Sequence, residues 1–290
     1  MIQFRNVTKY YGNTKALDNF SWNVKKGEIH ALLGHNGSGK TTSFLIANKI
    51  TKYKNGEVLI FNKNLNELKS CDIQKIGLLT EKLKIYDDLT IIETLKFFCD
   101  IFSVKHKNEK ILEISKLFNF DEYINKRIKQ LSTGMYKKVI IAVTLINDPL
   151  IVFLDEPFSG LDPIIIKQIS RILSNYNKIN GTTIIISSHN LHEIEELADT
   201  ITIMKSGKAV VSEKLENLYK KYNINKNYSL SYLLNNKEIT ESVSDEVILT
   251  KRLIELKNSN AVIISIHENK ITLTDIYSKI YEEVKTTQSK

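Results

Sequence analysis

The sequence predicts an α/β fold with a mostly parallel central sheet. Two continuous apolar runs, at residues 150–156 and 183–187, have the composition of strands that are buried on both faces. Pro163 predicts the start of a helix between them, because proline is favoured in a first helical turn, and Gly181 predicts its end. A strand, a helix and a second strand form a βαβ unit, so both strands are expected to lie parallel in one sheet.

The elements before this unit are predicted from turn residues and periodicity. Residues 1–30 alternate apolar and polar side chains around turn residues such as Gly12, which predicts short antiparallel strands. The pair Asn55–Gly56 predicts a hairpin turn that leads into a strand at residues 57–61. In residues 82–148, apolar side chains recur at helical spacing and predict a helical subdomain.

A change of composition marks the C-terminal part of the chain. Residues 213–290 contain no glycine and no chemical motif, and they alternate strand-like and helix-like runs. We therefore expect a main domain at residues 1–212, followed by a small α+β C-terminal appendage at residues 213–290. Within this appendage the sequence predicts strands at 228–234 and 261–267 and helices at 245–257 and 275–284.

The segment from Gly34 to Thr42 matches the P-loop pattern G-x-x-x-x-G-K-[ST] at every required position. It lies between an apolar run at 28–33, typical of a strand, and a run at 43–47, typical of the start of a helix. At such a turn, glycines let backbone N–H groups surround a phosphate, and the helix N-terminus favours the same anion. This context argues against a glycine-rich turn that matches by chance. The residues expected to bind nucleotide are Gly34, Asn36, Gly37, Ser38, Gly39, Lys40, Thr41 and Thr42.

Two carboxylates and a histidine are predicted to act beside this loop. Asp155 and Glu156 end a buried strand, at the edge where ligands bind in open parallel sheets. Thr41 and Asp155 are expected to hold Mg²⁺, and Glu156 is expected to take a proton from an attacking water. His189 follows the next strand, where it could hydrogen-bond a γ-phosphate. The alternatives are a solvated acidic pair at a strand end and a structural histidine.

Composition and charge exclude several classes of protein. The hydrophobic fraction of 42% is enough for a sizeable core, but no run reaches the roughly 18 apolar residues of a membrane span. The N-terminus lacks the apolar segment of a signal peptide, and Cys71 and Cys99 form no metal or redox pattern. The net charge of +8 arises from scattered lysines rather than a patch, so no nucleic-acid partner is expected. We therefore expect an intracellular protein that is soluble or peripheral to a membrane.

A third segment, Leu131–Met135 with the sequence LSTGM, precedes the strand that ends at Asp155 and opens a predicted helix. Alone it is an ordinary helix cap. After a P-loop and before an Asp–Glu pair, it resembles the signature motif of ATP-binding cassette (ABC) proteins. The resemblance covers residues 1–210 and implies a P-loop NTPase core of the ABC ATPase type.

The resemblance implies a role for each motif. Tyr11 matches the aromatic residue that stacks on the adenine of ATP, and residues 34–42 match the Walker A loop. Residues 150–156 match the Walker B strand, whose Glu156 would be the catalytic glutamate. Asp162 ends the D-loop sequence that begins at Ser159 and is expected to contact nucleotide, and His189 matches the switch histidine.

The resemblance also implies partners. In this family two ATP-binding domains dimerise head to tail, so Ser132 and Gly134 would contact the nucleotide held by the partner chain. Closure on ATP and opening after hydrolysis drive a membrane permease. The implied cofactors are ATP and Mg²⁺. The implied partners are a second ABC ATPase chain, identical or different, and a separate multi-span permease. The implied location is cytoplasmic, at the inner face of the cell membrane.

Two positions depart from the usual family pattern. Glu81 stands where the family usually has glutamine, and it can accept hydrogen bonds or meet Mg²⁺ but cannot donate a hydrogen bond. Met135 replaces the glutamine of LSGGQ. Both departures resemble the ABC ATPases that serve ABC-2-type exporters of drugs, antimicrobial peptides or other amphipathic peptides. Neither removes a residue that hydrolysis needs, so active sites are expected.

The expected function is therefore that of an exporter's ATPase subunit. One alternative is a soluble ABC ATPase acting on nucleic acid or ribosomes, but the single cassette and the short separation between P-loop and signature argue against it. An ATP-binding component without hydrolysis is disfavoured by the intact Lys40, Asp155, Glu156 and His189. An importer subunit remains as a further alternative. The C-terminal appendage and Glu81 favour the exporter branch over it by analogy.

Overall fold

The computed structural model describes residues 1–81, 83–222, 227–235, 237–259, 261–269 and 271–288. The chain divides into two compact units, Met1–Lys214 and Leu215–Lys290. The helical subdomain predicted from residue 82 begins at a position outside the described residues.

The first unit contains two sheets and seven α-helices among its described residues. Its strands are β1 (Ile2–Tyr11), β2 (Thr14–Val24), β3 (Ile29–Leu33), β4 (Asn55–Ile60), β5 (Lys63–Asn64), β6 (Ile76–Leu79), β7 (Ile151–Asp155), β8 (Thr183–Ser188), β9 (Thr200–Lys205) and β10 (Lys208–Lys214). Its helices are α1 (Lys40–Ala47), α2 (Ser70–Ile73), α3 (Ile91–Ile101), α4 (Lys107–Phe118), α5 (Thr133–Leu145), α6 (Pro163–Asn180) and α7 (His192–Glu195). Short 3-10 helices occur at Leu65–Glu67 and Ile128–Gln130.

The larger sheet has six strands in the order β10-β9-β3-β8-β7-β6. The pairs from β9 to β6 are all parallel, and β10 joins β9 antiparallel. Every residue of β3, β7 and β8 is buried, as their continuous apolar runs predict. The expected mostly parallel sheet is confirmed. Because β3, β8 and β7 are adjacent, the segments that follow their carboxyl ends meet at one edge of the sheet.

The N-terminal strands form a separate four-stranded antiparallel sheet, in the order β2-β1-β4-β5. The antiparallel pairing is confirmed, but the hairpin turn predicted at Asn55–Gly56 is wrong. Both residues begin β4, and the tight turn lies at Phe61 and Asn62, which have positive φ values of 56° and 61°. Gly56 is needed for another reason: its φ is +98° and an added Cβ would lie 2.5 Å from the Asn6 carbonyl oxygen.

Local sequence signals explain where the main helices begin and end. Thr90 and Glu93 form a reciprocal capping box at the start of α3. The Ser132 side chain caps α5 by accepting from the Met135 N–H. The predicted start of α6 at Pro163 is confirmed, and Gly181 ends this helix with a φ of 64°. Helices α3, α4 and α5 all lie within residues 82–148, where the sequence predicts a helical subdomain.

An aromatic core joins the two sheets of the first unit. Phe4, Phe20 and Trp22 form a cluster with ring centroids 5.6–5.9 Å apart. The same core includes Phe44 of α1 and Phe153 of β7, whose ring centroids are 5.0 Å apart. This contact packs the helix that follows the P-loop against the strand that carries Asp155, and so fixes the distance between the two motifs.

The second unit has a three-stranded antiparallel sheet with helices. Its elements are α8 (Leu215–Tyr222), β11 (Asn227–Leu234), β12 (Lys237–Val243), α9 (Glu246–Asn258), β13 (Val262–Asn269) and α10 (Leu273–Gln288), and the strand order is β12-β11-β13. Tyr228, Leu230 and Tyr232 form one buried face with Leu249 and Leu256 of α9. The sequence did not predict α8 or β12.

In the described ranges of the whole chain, no helix has both the length and the apolar character needed to span a bilayer.

The close contact at Gly56 gives a stability prediction. Gly56→Ala should lower the free energy of unfolding by about 3 kcal/mol or more, since the new Cβ overlaps backbone atoms and φ is positive. Gly12→Ala is the matched control, with a φ of +56° and no described atom within 4 Å of the added Cβ. It should cost about 1 kcal/mol. Urea unfolding measures both, and equal losses would contradict the contribution of the contact.

Candidate functional site

A cleft of about 450 Å³ lies where the carboxyl ends of β3 and β7 meet. Most of the residues predicted to bind nucleotide or metal line it, and they come from four separate parts of the first unit. The lining residues are Tyr11, Thr14, Lys15, Ala16, Asn36, Gly37, Ser38, Gly39, Lys40, Thr41, Thr42, Glu81, Asp155 and Glu156.

The glycine-rich loop between β3 and α1 has the geometry of an anion-binding turn. Gly37 and Gly39 have φ values of 81° and 108°, which glycine adopts without steric cost. An added Cβ at Gly34 would lie 2.6 Å from Ser38 Oγ, so this position also requires glycine. Ser38 Oγ is buried and has no hydrogen-bond partner among the described residues. A phosphate oxygen in the cleft would supply an acceptor for this hydroxyl and for the N–H groups at the start of α1.

Lys40 lies at the base of the loop and is almost fully buried. Its ammonium donates to the Gly34 carbonyl oxygen over 2.7 Å and lies 3.4 Å from Glu156 Oε1. The second distance is that of an ion pair, and Oε1 has no hydrogen bond within the described part of the chain. Lys40 thus brings a positive charge between the P-loop and the end of β7, where anionic oxygens of a nucleotide would be attracted.

Thr41 and Asp155 converge in the same cleft. Thr41 Oγ1 donates to Asp155 Oδ2 over 2.7 Å, and Ser187 Oγ donates to Asp155 Oδ1 over 2.5 Å. A hydroxyl and a carboxylate at this separation are the oxygen ligands that Mg²⁺ prefers. The residues present therefore fit the magnesium site that the sequence predicts.

Glu156 directly follows Asp155 and has a left-handed backbone with a φ of 48°. This conformation is uncommon outside glycine, asparagine and aspartate, and it turns the side chain toward the cleft side of the sheet edge. Glu156 Oε2 lies 2.8 Å from His189 Nδ1. A carboxylate with a histidine on one oxygen and a lysine near the other can accept a proton from water at this edge.

The loop that carries His189 is braced by Glu193. The Glu193 carboxylate accepts hydrogen bonds from Ser188 Oγ over 3.2 Å and from Asn190 Nδ2 over 3.0 Å. Burial raises the pKa of Glu193, while these two hydrogen bonds act in the opposite direction. His189 thus projects from a loop whose flanking residues are both anchored to one side chain.

The remaining lining residues from the predicted set lie at the rim. Tyr11, at the end of β1, is 46% exposed, and Lys9 Nζ lies 4.6 Å from the centroid of its ring. An exposed aromatic face beside a phosphate-binding loop can stack on a base. Glu81 follows β6 and contributes its side chain to the cleft.

Five of the predicted residues are not among those that line the cleft. Gly34 and His189 still contact lining residues, through Lys40 and Glu156 respectively, whereas no described hydrogen bond joins the other three to the lining.

Ser132 is exposed at the N-terminus of α5, and Gly134 is buried with its Cα facing Ile165. Asp162 caps α6 by accepting from the N–H groups of Ile164 and Ile165, each over 3.0 Å. Within one chain, the signature residues and Asp162 therefore stand apart from the cleft.

Sequence reasoning missed the role of Ser187. This fully buried residue accepts a hydrogen bond from the Glu156 N–H over 2.9 Å and donates to Asp155, so it ties both acidic residues to β8. The sequence does contain one signal for this role, because Ser187 is a polar residue at the carboxyl end of a predicted buried strand next to the Asp155 strand. A polar residue there needs a partner, and the neighbouring strand end supplies one.

A larger cleft, of about 570 Å³, lies beside β1, β2 and β10. Aromatic residues such as Trp22 and charged residues such as Glu28 line it. None of the predicted site residues is part of its described lining. The candidate site is therefore chosen by the convergence of the P-loop, Asp155 and Glu156 rather than by the volume of the cleft.

Comparison with known proteins identifies relatives of this chain. The sequence profile described as ABC transporter matches residues 17–159. An uncharacterized ABC transporter ATP-binding protein of Methanocaldococcus jannaschii is 37% identical over 88% of this chain and 92% of its own length. The bacitracin transport ATP-binding protein BcrA of Bacillus licheniformis is 35% identical over 76% of this chain and 72% of its own length. The lantibiotic transport ATP-binding protein SrtF of Streptococcus pyogenes is 34% identical over 76% and 96%.

Two further matches bear on activity and direction of transport. A dimeric, post-hydrolysis structure of an ATP-binding cassette bound to ADP and Pi superimposes with a TM-score of 0.66 and 28% identity, over 74% of this chain and 99% of that one. The methionine import ATP-binding protein MetN of Clostridioides difficile is 30% identical over 76% of this chain and 70% of its own length.

The two hydrogen bonds of Ser187 predict that its loss destabilises the fold, and Ser170 provides a matched control. Ser187→Ala should lower the free energy of unfolding by about 2 kcal/mol, because it leaves Asp155 Oδ1 and the Glu156 N–H without this partner. Ser170→Ala should be neutral or slightly stabilising, since Ser170 Oγ is buried with no partner in the described structure. Urea unfolding of both variants measures the difference. A larger loss for Ser170→Ala would contradict the assignment.

Proposed function

This chain belongs to the ABC transporter family, as an ATP-binding subunit that hydrolyses ATP, and on that premise we propose that it powers the export of antimicrobial or other amphipathic peptides. The observation that carries the direction and cargo is the similarity to BcrA and SrtF, whose names give bacitracin and lantibiotics as the transported compounds. The glutamate at position 81 supports the same branch. A drug of similar amphipathic character is also compatible with these relatives.

The proposed binding site for ATP is the cleft between the P-loop and β7. Backbone N–H groups from Gly34 to Thr42 and the Lys40 ammonium would hold the phosphates, and Tyr11 would stack on the adenine. Support comes from the unpartnered Ser38 hydroxyl and from the exposed face of Tyr11 at the rim.

Thr41 and Asp155 are the proposed ligands of Mg²⁺, with Glu81 as a further acceptor near the metal or its water. The metal would neutralise charge on the phosphates during hydrolysis. Ser187 holds Asp155 from the side opposite Thr41, so one carboxylate oxygen remains directed toward the threonine hydroxyl.

Glu156 is the proposed general base, and His189 the residue that orients it. The support is the 2.8 Å separation between His189 Nδ1 and Glu156 Oε2, together with the position of both side chains at the carboxyl ends of adjacent strands. The other oxygen, Oε1, lies at ion-pair distance from Lys40 but has no hydrogen bond among the described residues, so it would be the one that accepts a proton from water.

A second cassette completes the proposed site. Ser132 and Gly134 lie outside the cleft of their own chain, which suits a role on the nucleotide held by the partner. Asp162, exposed at the start of α6, would lie near the same junction. ABC ATPases work as dimers with membrane permeases, and the structural relative bound to ADP and Pi is a dimer. The permease would place this chain at the inner face of the cell membrane.

Import is the second candidate, because MetN is also a relative at 30% identity. The two candidates require the same ATPase chemistry and differ in the permease that binds the chain. Action on nucleic acid or ribosomes has no support among the relatives described above, whose names all refer to transport or transporters.

The role of Glu156 leads to a prediction about hydrolysis. Glu156→Gln should retain ATP binding but lower kcat by about 10²–10⁴-fold, because the amide cannot accept the proton. Glu57→Gln, on the N-terminal sheet, is the matched control and should keep the wild-type rate. Steady-state ATPase assays and nucleotide-binding titrations distinguish the two effects. An unchanged kcat in Glu156→Gln would exclude this residue as the base.

The transport role is tested by identifying the permease and measuring peptide tolerance. The tagged chain should co-purify from gently solubilised membranes with a multi-span protein. Cells that express both should tolerate more bacitracin or lantibiotic than cells that carry Lys40→Ala, which lacks the phosphate-binding cation. Recovery with a permease that takes up amino acids would favour import. Recovery only with ribosomes or nucleic acid would overturn the transport proposal.

A further inference from the structure

Lys137 links the signature helix to the end of β7. It lies one turn into α5, the helix that begins beside Ser132, and its ammonium donates to the Glu156 carbonyl oxygen over 3.3 Å. Its neighbour Lys138 points elsewhere and donates to Gln168 Oε1 over 2.7 Å. Of this pair of adjacent lysines, one therefore contacts the backbone of the proposed base and the other contacts α6.

The backbone conformation of Glu156 is unfavourable by itself, so hydrogen bonds from neighbouring elements are needed to hold it. A left-handed conformation at a residue other than glycine costs about 1 kcal/mol, and it persists where the surroundings fix it. Here the Glu156 N–H donates to Ser187 and the Glu156 carbonyl accepts from Lys137. The Glu156 carbonyl also accepts from the Ser159 N–H of its own loop over 3.3 Å. Ser187 and Lys137 are thus the partners that hold the backbone of Glu156 from two other elements, β8 and α5.

Lys137 lies near the acidic residues of the cleft. Burial lowers the pKa of Lys137, and the carboxylates of Glu81, Glu156 and Asp155 oppose this shift. The direct contact of its ammonium among these residues is with the Glu156 carbonyl.

We propose that Lys137 is a positioning residue for ATP hydrolysis, which helps to fix the Glu156 backbone through the carbonyl of that residue. The inference rests on the proposed role of Glu156 as the base. It assigns a function to a side chain that is absent from the lining of the cleft. Because α5 starts at Ser132, Lys137 also connects the surface proposed to meet the partner's nucleotide with the base of its own chain.

The first test compares two substitutions on one helix. Lys137→Met should lower kcat by about tenfold or more, since it removes a charged hydrogen bond to the Glu156 carbonyl. KM for ATP should stay within about threefold, because Lys137 does not line the binding cleft. Lys138→Met should keep the wild-type kcat. Lys137→Arg, which retains a donor and the charge, should recover part of the rate.

The second test is a double-mutant cycle with Glu156. If Lys137 acts by positioning the Glu156 carboxylate, Lys137→Met should lower kcat little further in the Glu156→Gln background, so the two effects are not additive. A purely structural role would instead lower the midpoint of thermal unfolding, raise KM together with the fall in kcat, and leave the cycle additive. That result would overturn the proposal, as would a wild-type kcat in Lys137→Met.

Glu156→Gln measured in the same assay separates this inference from the function on which it rests. A slow Glu156→Gln enzyme beside a normal Lys137→Met enzyme would overturn only the positioning role. Wild-type turnover in Glu156→Gln would instead overturn the role of the base, and the inference about Lys137 with it.

Discussion

The candidate cleft depends on one packing constraint, the burial of three adjacent parallel strands on both faces. Every residue of β3, β8 and β7 is buried, so a shift in register would expose apolar side chains at one end and bury polar loop residues at the other. Their common direction brings the P-loop, the loop with His189 and the Asp155–Glu156 pair to one edge. The ring contact between Phe44 and Phe153 then fixes the P-loop helix against the acidic strand. The short contacts of Glu156 with Lys40 and His189, and of Asp155 with Thr41, thus follow from the packing of an apolar core.

At that edge the chain uses backbone strain where chemistry is expected. Glu156 lies in a conformation that a strand end does not require, and neighbouring elements hold it there through its N–H and its carbonyl. The position of the Glu156 side chain therefore depends on contacts from α5 and β8 as well as on its own strand.

The sequence predicts the convergence of most of these residues because its motifs are local and each needs a particular strand end or helix start. The P-loop glycines, the Asp155 strand and Pro163 are examples. Contacts between distant segments are harder to predict. The local sequence does not identify the partner of Ser187, nor does it distinguish Lys137 from the many other lysines, because only the pairing of β7 with β8 and the packing of α5 bring them to Glu156. At Asn55–Gly56 the glycine serves a close approach to Asn6 rather than a turn, and the sequence does not distinguish these uses. β12 was missed because its charged and polar residues lack a clear alternation.

The aromatic core of the first unit has a consequence for optical spectroscopy. Trp22 is the single tryptophan of the sequence, it is only 3% exposed, and its indole N–H donates to His30 Nε2 over 3.1 Å. Its fluorescence therefore reports on the packing of the N-terminal sheet, while circular dichroism reports on the helices of both compact units. Coincidence or divergence of these two signals during unfolding reveals whether the two units lose their structure in one cooperative transition or in two.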